Sequence, residues 1–236
     1  MLQGEQLRMG MDHTADDLDF DPAAARAALA GLAEQVRRAG DEAPEAIEAR
    51  LLPAVEDLLF ARGYAGLNIR ELAKRVGMGP ATIYKYYASK EALALRVLQV
   101  QDVQVAAFVG AALPRRGVEQ ERWLAFYRAL LLYYDANVKV AVVQNVAMPT
   151  YTWFLPEHRW PVAGVAEIVR GLIRDGRAAG ALDDAITDNQ ILATHYMHLV
   201  REVRLWRSRG MRWRLADRVE TFFPIVWKTI SRLPER

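Results

Sequence analysis

There is no cysteine among the 236 residues. That absence excludes disulfides, zinc–thiolate centres, thiol nucleophiles and cysteine redox sensing, and makes an intracellular, cytoplasmic compartment the natural expectation. No run approaches the roughly 20 apolar residues of a membrane span, so no membrane partner is expected. The opening "MLQGEQLRMGMDHTADDLDFD" has neither the basic nor the apolar segment of a signal peptide, and its Met1, Met9 and Met11 offer alternative starts. Strand signals are also scarce: Asn-Gly hairpins and sustained period-two alternation are missing, and β-branched clusters are few. Catalytic signatures are missing as well, with no Ser-His-Asp ordering, no usefully spaced carboxylate pair and no nucleotide loop, so no enzyme is expected. "GMGPAT" has no strand before it and the wrong spacing for a phosphate loop.

What is present is apolar bulk and helical periodicity. At 52% hydrophobic and 25% charged residues the chain can bury a sizeable core. The net charge of +2 is unevenly spread: −6 over residues 1–47, +3 over 48–96, −1 over 97–188 and +6 over 189–236. The acidic residues 1–43 read as an appendage, disordered up to Pro22 and then helical through "PAAARAALAGLAEQVRRAG" to a stop at Gly40.

Beyond Ala46 the punctuation divides the chain into helices. "IEARLLPAVEDLLFARGY" places Ile47, Leu51, Val55, Leu58 and Leu59 on one face, with Gly63 at its end; Pro53 implies a start near Leu52 or a kink. "NIRELAKRVG" has Asn68 as N-cap, Glu71 as its capping-box partner and Gly77 as its stop. After a short turn, Gly79 caps and Pro80 opens "PATIYKYY", and Ser89 caps a long helix from Lys90 to about Leu113. Two short helices across a glycine-bearing turn, flanked by longer ones, are the arrangement of a helix-turn-helix. As a recognition helix, "PATIYKYY" would turn Thr82, Tyr84, Lys85 and Tyr86 toward phosphates and base edges, with Ile83 facing inward. A half-buried aromatic patch at a domain junction is the other reading of its three tyrosines.

Over Leu51 to Leu93 the sequence resembles the tetracycline-repressor (TetR-like) transcriptional regulators. The matching positions are "LL", Ala54, "ARGY", "IRELA", "VG" and "TIYKYYASKEAL", where Thr82, Ile83, Tyr84, Tyr87, Ser89, Lys90 and Leu93 fall on the family pattern. The resemblance implies an all-α homodimer bound to a palindromic double-stranded DNA operator. In each subunit a three-helix helix-turn-helix DNA-binding domain, residues 44–95, precedes a helical ligand-binding and dimerisation domain, residues 96–236. Carried over by position, the DNA-binding residues are Asn68, Arg70, Gly79, Pro80, Ala81, Thr82, Tyr84, Lys85, Tyr86 and Lys90. Leu67 stands where a Thr or Ser is common, Gly79-Pro80-Ala81 replaces the usual Ser-Lys-Gly, and Leu59 with Phe60 replaces an aromatic. These departures motivate a rival reading, a carrier of lipid or another apolar molecule on the same fold without DNA binding.

Further on, Trp123, Tyr127, Leu130, Tyr134 and Asn137 share a stripe, and "MPTYTWFLPEHRWP" is an aromatic, proline-rich connection. Trp123, Tyr127, Tyr134, Asn137, Trp153, Phe154, His158, His195 and His198 are therefore candidates for lining an effector cavity, with core plugging as the alternative for each aromatic. His195 and His198, with His158, could be drawn as a metal or haem site, but no acidic or thiol partner lies at ligand spacing; neither metal nor cofactor is assigned. Leu192, Tyr196, Leu199, Val203 and Trp206 step by four, three, four and three, and Leu215, Val219, Phe222, Val226 and Leu233 largely repeat the seam. Two such helices per subunit suggest a four-helix dimer interface through Leu192, Tyr196, Leu199, Val203, Trp206, Val219, Phe222 and Val226. The reading is a ligand-responsive repressor released by a small apolar or aromatic effector, with Pro53 and the Lys90–Leu113 helix as the moving part.

Overall fold

A computed structural model describes residues 45–147 and 164–232. The acidic extension, Trp153, Phe154, His158 and Leu233 lie outside them. Nine α-helices are found among the described residues: α1 (Glu45–Arg62), α2 (Ile69–Val76), α3 (Pro80–Tyr86), α4 (Lys90–Ala112), α5 (Glu119–Ala136), α6 (Val138–Val142), α7 (Val165–Ala178), α8 (Asp188–Ser208) and α9 (Val219–Ile230). Extended pairing among them is limited to one antiparallel bridge, Leu182 with Ser231, which ties the end of α9 to the α7–α8 connection. The architecture is all-α, an N-terminal helix-turn-helix unit followed by a larger helical domain.

Local chemistry accounts for the N-terminal helix boundaries. Asn68 Oδ1 accepts from Arg70 N at 2.9 Å and Glu71 N at 3.1 Å, capping α2. Gly77 stops it in the left-handed region (φ 63, ψ 40), and Met78 N reaches back to Ala73 O at 2.9 Å to complete a Schellman turn. Pro80 is the first residue of α3, and Ser89 Oγ accepts from Ala92 N at 3.0 Å to start α4. Pro53 falls inside α1, which begins eight residues earlier at Glu45. The helix therefore does not start at Leu52: it runs through the proline with one intrahelical donor removed.

Two cores result. Leu51, Val55, Leu58 and Leu59 of α1, Leu72 of α2, Ile83 of α3 and Leu93, Val97 and Leu98 of α4 close the N-terminal one. The second is built around Trp123, Phe126, Tyr127 and Leu130 of α5, Val169 and Leu172 of α7, Val203 and Trp206 of α8 and Phe222 and Val226 of α9. Phe60 packs against both. By length and mean hydropathy alone α4 could cross a membrane, an apolar stretch longer than the sequence reading expected. Here it packs against α1, α5 and α7 as the shared spine of the two cores.

Candidate nucleic-acid interface and interior cavity

The helix-turn-helix presents one polar surface. Asn68, Arg70, Gly79, Pro80, Ala81, Thr82, Tyr84 and Lys85 are all exposed, while Ile83, one residue from Tyr84, is buried at 1%. Tyr84 stands 52% exposed. Its ring and hydroxyl are therefore available at the surface of a two-turn helix over a closed core. Arg70 and Lys85 have no carboxylate partner among the described residues, whereas Arg75 pairs with Asp57 at 2.6 Å and Arg62 with Glu71 at 2.8 Å. An open groove runs between α2 and the start of α4, lined by Asn68, Arg70, Tyr84, Ser89 and Lys90.

Two of the expected contacts, Lys90 and Tyr86, are only half-exposed, and Tyr87 turns inward. Lys90 is half-buried: its Nζ donates to Tyr64 O at 3.4 Å and lies 4.4 Å from the centre of the Tyr64 ring, so it braces the turn after α1. Tyr86 is half-buried against the N-terminal core, with Lys85 Nζ 5.6 Å from its ring centre. Tyr87 points inward and donates to Glu48 Oε1 at 2.7 Å; Arg96 grips the same carboxylate at 2.8 and 3.0 Å. Burial works to raise the pKa of Glu48, but hydrogen bonds from Arg96 and Tyr87 outweigh it and hold the carboxyl below its ordinary range. Burial and the Glu48 hydrogen bond push the Tyr87 phenol up, so it stays a donor and locks α3 to α1 and α4.

The candidate effector residues separate into two groups. Tyr134 and His195 line a small interior cavity with Leu98, Asp102, Gln144, Asn145, Val165, Tyr196 and Leu199. Trp123 and Tyr127 are core instead, fully buried with Phe126, Phe222 and Phe223 around Tyr127 in edge-on and tilted contacts. The reason is geometric: their end of the stripe is filled by Phe126, His195 of α8 and Phe222 and Phe223 of α9, while Tyr134, two turns on, reaches the cavity. Asn137 caps the end of α5, donating from Nδ2 to Tyr133 O at 2.9 Å, and His198 Nδ1 donates to Thr194 O at 2.9 Å on its own helix. His195, wholly enclosed, lies 3.0 Å from the Tyr127 hydroxyl; burial pushes its pKa down to about 3, so it is neutral. Among the described residues no group of three acidic or histidine side chains gathers to hold a metal.

Sequence reasoning missed the cavity's polar half. Tyr134 donates to Gln144 Oε1 at 2.8 Å, and Gln144 and Asn145 sit on a π-helical turn, Val143–Ala147, that follows α6. Asp102 accepts from Val165 N at 3.3 Å, and Gly164 lies so close that an added Cβ would overlap its Oδ2. Burial raises the Asp102 carboxyl from 3.8 to about 6, against the lowering effect of that hydrogen bond. The available signal was its register: Leu98, Asp102, Val105 and Val109 step by four, three and four, putting an acid on an apolar stripe.

The dimer seam is also corrected. Leu199, Val203, Trp206, Val219, Phe222 and Val226 are all buried within the protomer, because two terminal helices with apolar stripes close their own domain first. Leu192 and Tyr196 remain half-buried. The outward faces of α8 and α9 carry Met197 (55% exposed), Arg201, Arg204, Pro224, Ile225 (58% exposed) and Lys228.

Comparison with known proteins agrees with this architecture. Residues 51–97 match the family of bacterial regulatory proteins, tetR family. HTH-type transcriptional regulators of Mycobacterium tuberculosis and Mycobacterium bovis are 30% identical over 155 residues, covering 63% of this chain and 64% of theirs. The chain thus spans somewhat less than two thirds of these relatives. Among solved structures, a tetR family regulator from Shewanella sp. PV-4 superposes with a TM-score of 0.63 at 18% identity, covering 79% of this chain and 98% of that one. The fatty acid degradation regulator FadR from Bacillus halodurans gives a TM-score of 0.64 at 15% identity over 79% and 97%. FadR from Bacillus subtilis in complex with stearoyl-CoA gives 0.60 at 13% over 75% and 96%. Residues 51–97 thus carry a helix-turn-helix similar to that of the bacterial regulatory proteins, tetR family, on the all-α fold that these solved structures share.

Proposed function

We propose that the protein is a cytoplasmic, homodimeric DNA-binding repressor whose operator affinity is set by a small molecule in the interior cavity. The observation that carries the reading is the exposed row Thr82, Tyr84 and Lys85 over the buried Ile83, with Arg70 alongside and no neutralising carboxylate among the described residues. Tyr84 and Thr82 offer hydroxyls to base edges or phosphates, and Lys85 and Arg70 offer charge to the backbone. A two-fold dimer would set its two α3 helices about 34 Å apart on a palindrome. The outward faces of α8 and α9 around Met197 and Ile225 are the surface for that pairing.

Communication between cavity and DNA surface would use residues that belong to both. Leu98 of α4 lines the cavity and packs in the N-terminal core. On the π-helical turn, Gln144 and Asn145 face the cavity while Val143 and Ala147 are buried in the N-terminal core. Asp57 of α1 pairs with Lys139 of α6 at 2.6 Å, and Arg207 of α8 donates to Phe60 O at 2.8 Å across the Phe60 ring. An effector that binds one arrangement of these elements better than another shifts operator affinity by the ratio of its two affinities. The carrier reading has less support, since the described cavity has room for about one water-sized group and no lipid tunnel.

Selection of bound duplexes from a random DNA pool tests the function. A palindromic consensus is expected, with enrichment lost in Tyr84→Ala; no enrichment by folded, dimeric protein at low salt would overturn it.

A further inference from the structure

The cavity is unlike the apolar effector pocket that the aromatic-rich sequence suggested. Five of its nine lining residues offer polar groups besides the phenol of Tyr196: Asp102, Tyr134, Gln144, Asn145 and His195. Tyr134 and Gln144 satisfy one another, Asn145 Nδ2 donates to Ala141 O at 2.9 Å, and His195 is engaged with Tyr127. Asp102 is the under-satisfied member. Among the described residues its half-buried carboxylate receives a single long hydrogen bond, from Val165 N at 3.3 Å. Among the described residues no Lys or Arg lines the cavity to balance it, and His195 is neutral. Asp102 is half-buried, and a charge drawn part-way out of water gains from any donor that completes it.

We propose that the cavity binds a protonated amine, with Asp102 as its counter-ion. This rests on the reading of the cavity as the effector site, and it replaces an apolar effector with a cationic one. The chemistry is complementary at each wall. An ammonium supplies the donors that the Asp102 oxygens lack, the Asn145 and Gln144 carbonyl oxygens are further acceptors within the same lining, and the rings of Tyr134 and Tyr196 offer π faces to the positive charge. The space left for the centre of a bound group, about 20 Å³, suits one ammonium-sized head. An anionic head would meet the Asp102 charge with no base among the described lining residues to offset it, and a neutral alcohol would leave that charge unbalanced. The position of Asp102, one turn beyond Leu98 on α4, puts the charge pair next to a residue packed in the DNA-binding core.

The test is isothermal titration of the full-length protein at pH 7.5 with three probes matched to the cavity, methylamine, methanol and formate, repeated with Asp102→Asn. A charge-assisted pair predicts that methylammonium binds about ten- to a hundredfold more tightly than methanol, with formate weakest, and that the preference disappears in Asp102→Asn. Equal or better binding of methanol or formate, no amine binding at millimolar concentration, or an amine preference surviving in Asp102→Asn would each overturn the proposal. Circular dichroism checks that the variant is folded; should it not fold, the charge order among the three probes on the unaltered protein decides. DNA selection is scored separately, so an amine site without an operator, or an operator without an amine site, tells the two readings apart.

Discussion

Replacing Asp102 with asparagine should stabilise the empty protein, and by an amount that depends on pH. Asp102 titrates near 6 in the fold against an ordinary value of 3.8, so the folded chain holds this proton more tightly than the unfolded one. Its contribution to stability is therefore fully favourable below about pH 3.8 and is lost as pH rises through 6. The interval of about two pH units corresponds to about 3 kcal/mol of destabilisation by the charged form at pH 8. Asparagine keeps an oxygen for Val165 N and is never charged, so it escapes that cost. Urea unfolding followed by circular dichroism should put Asp102→Asn about 3 kcal/mol above the parent at pH 8, with the two converging near pH 4. In thermal scans the same difference is about 6–12 °C for a chain of this size. A gap that is constant with pH, or that widens toward pH 4, would refute the account of Asp102 as a half-buried, poorly paired carboxyl.

Other consequences are more local. Asn68→Ala removes the acceptor for Arg70 N and Glu71 N and should cost about 1 kcal/mol in urea unfolding, with Asn68→Ser recovering most of it. Arg207→Ala deletes the hydrogen bond to Phe60 O and the cation over its ring; operator affinity should respond less to effector in an anisotropy titration, while affinity without effector changes little. Met197→Glu with Ile225→Glu should give a folded monomer by analytical ultracentrifugation, whereas Val203→Glu, placing a charge at a fully buried site, should unfold the chain.

The division between what the sequence discloses and what it hides follows the range of the interactions. Asn68, Gly77, Pro80 and Ser89 act on backbone groups within a few residues of themselves, so the helix-turn-helix boundaries are legible without knowing the fold. The exposed Thr82, Tyr84 and Lys85 and the buried Ile83 follow from the same short-range geometry. Periodicity also identifies the apolar stripes of α5, α8 and α9, but it does not say what covers them. Val203 and Phe222 could face a second subunit or their own core, and burial in the protomer assigns them to the core. The bracing of Tyr64 by Lys90 is hidden for the same reason, since Tyr64 approaches from another turn of the chain. Asp102, Gln144 and Asn145 come together from α4 and a π-helical turn more than forty positions apart, a juxtaposition that no local pattern encodes.

The central claim is that the α3 face contacts DNA, and the salt dependence of duplex binding tests it most directly. Each Lys85 that neutralises a phosphate adds about one to the slope of log affinity against log salt, so Lys85→Ala in a dimer should lower that slope by about two. That result, with an unchanged melting temperature, would establish the interface. An unchanged slope, or no binding at low salt by folded dimer, would contradict it.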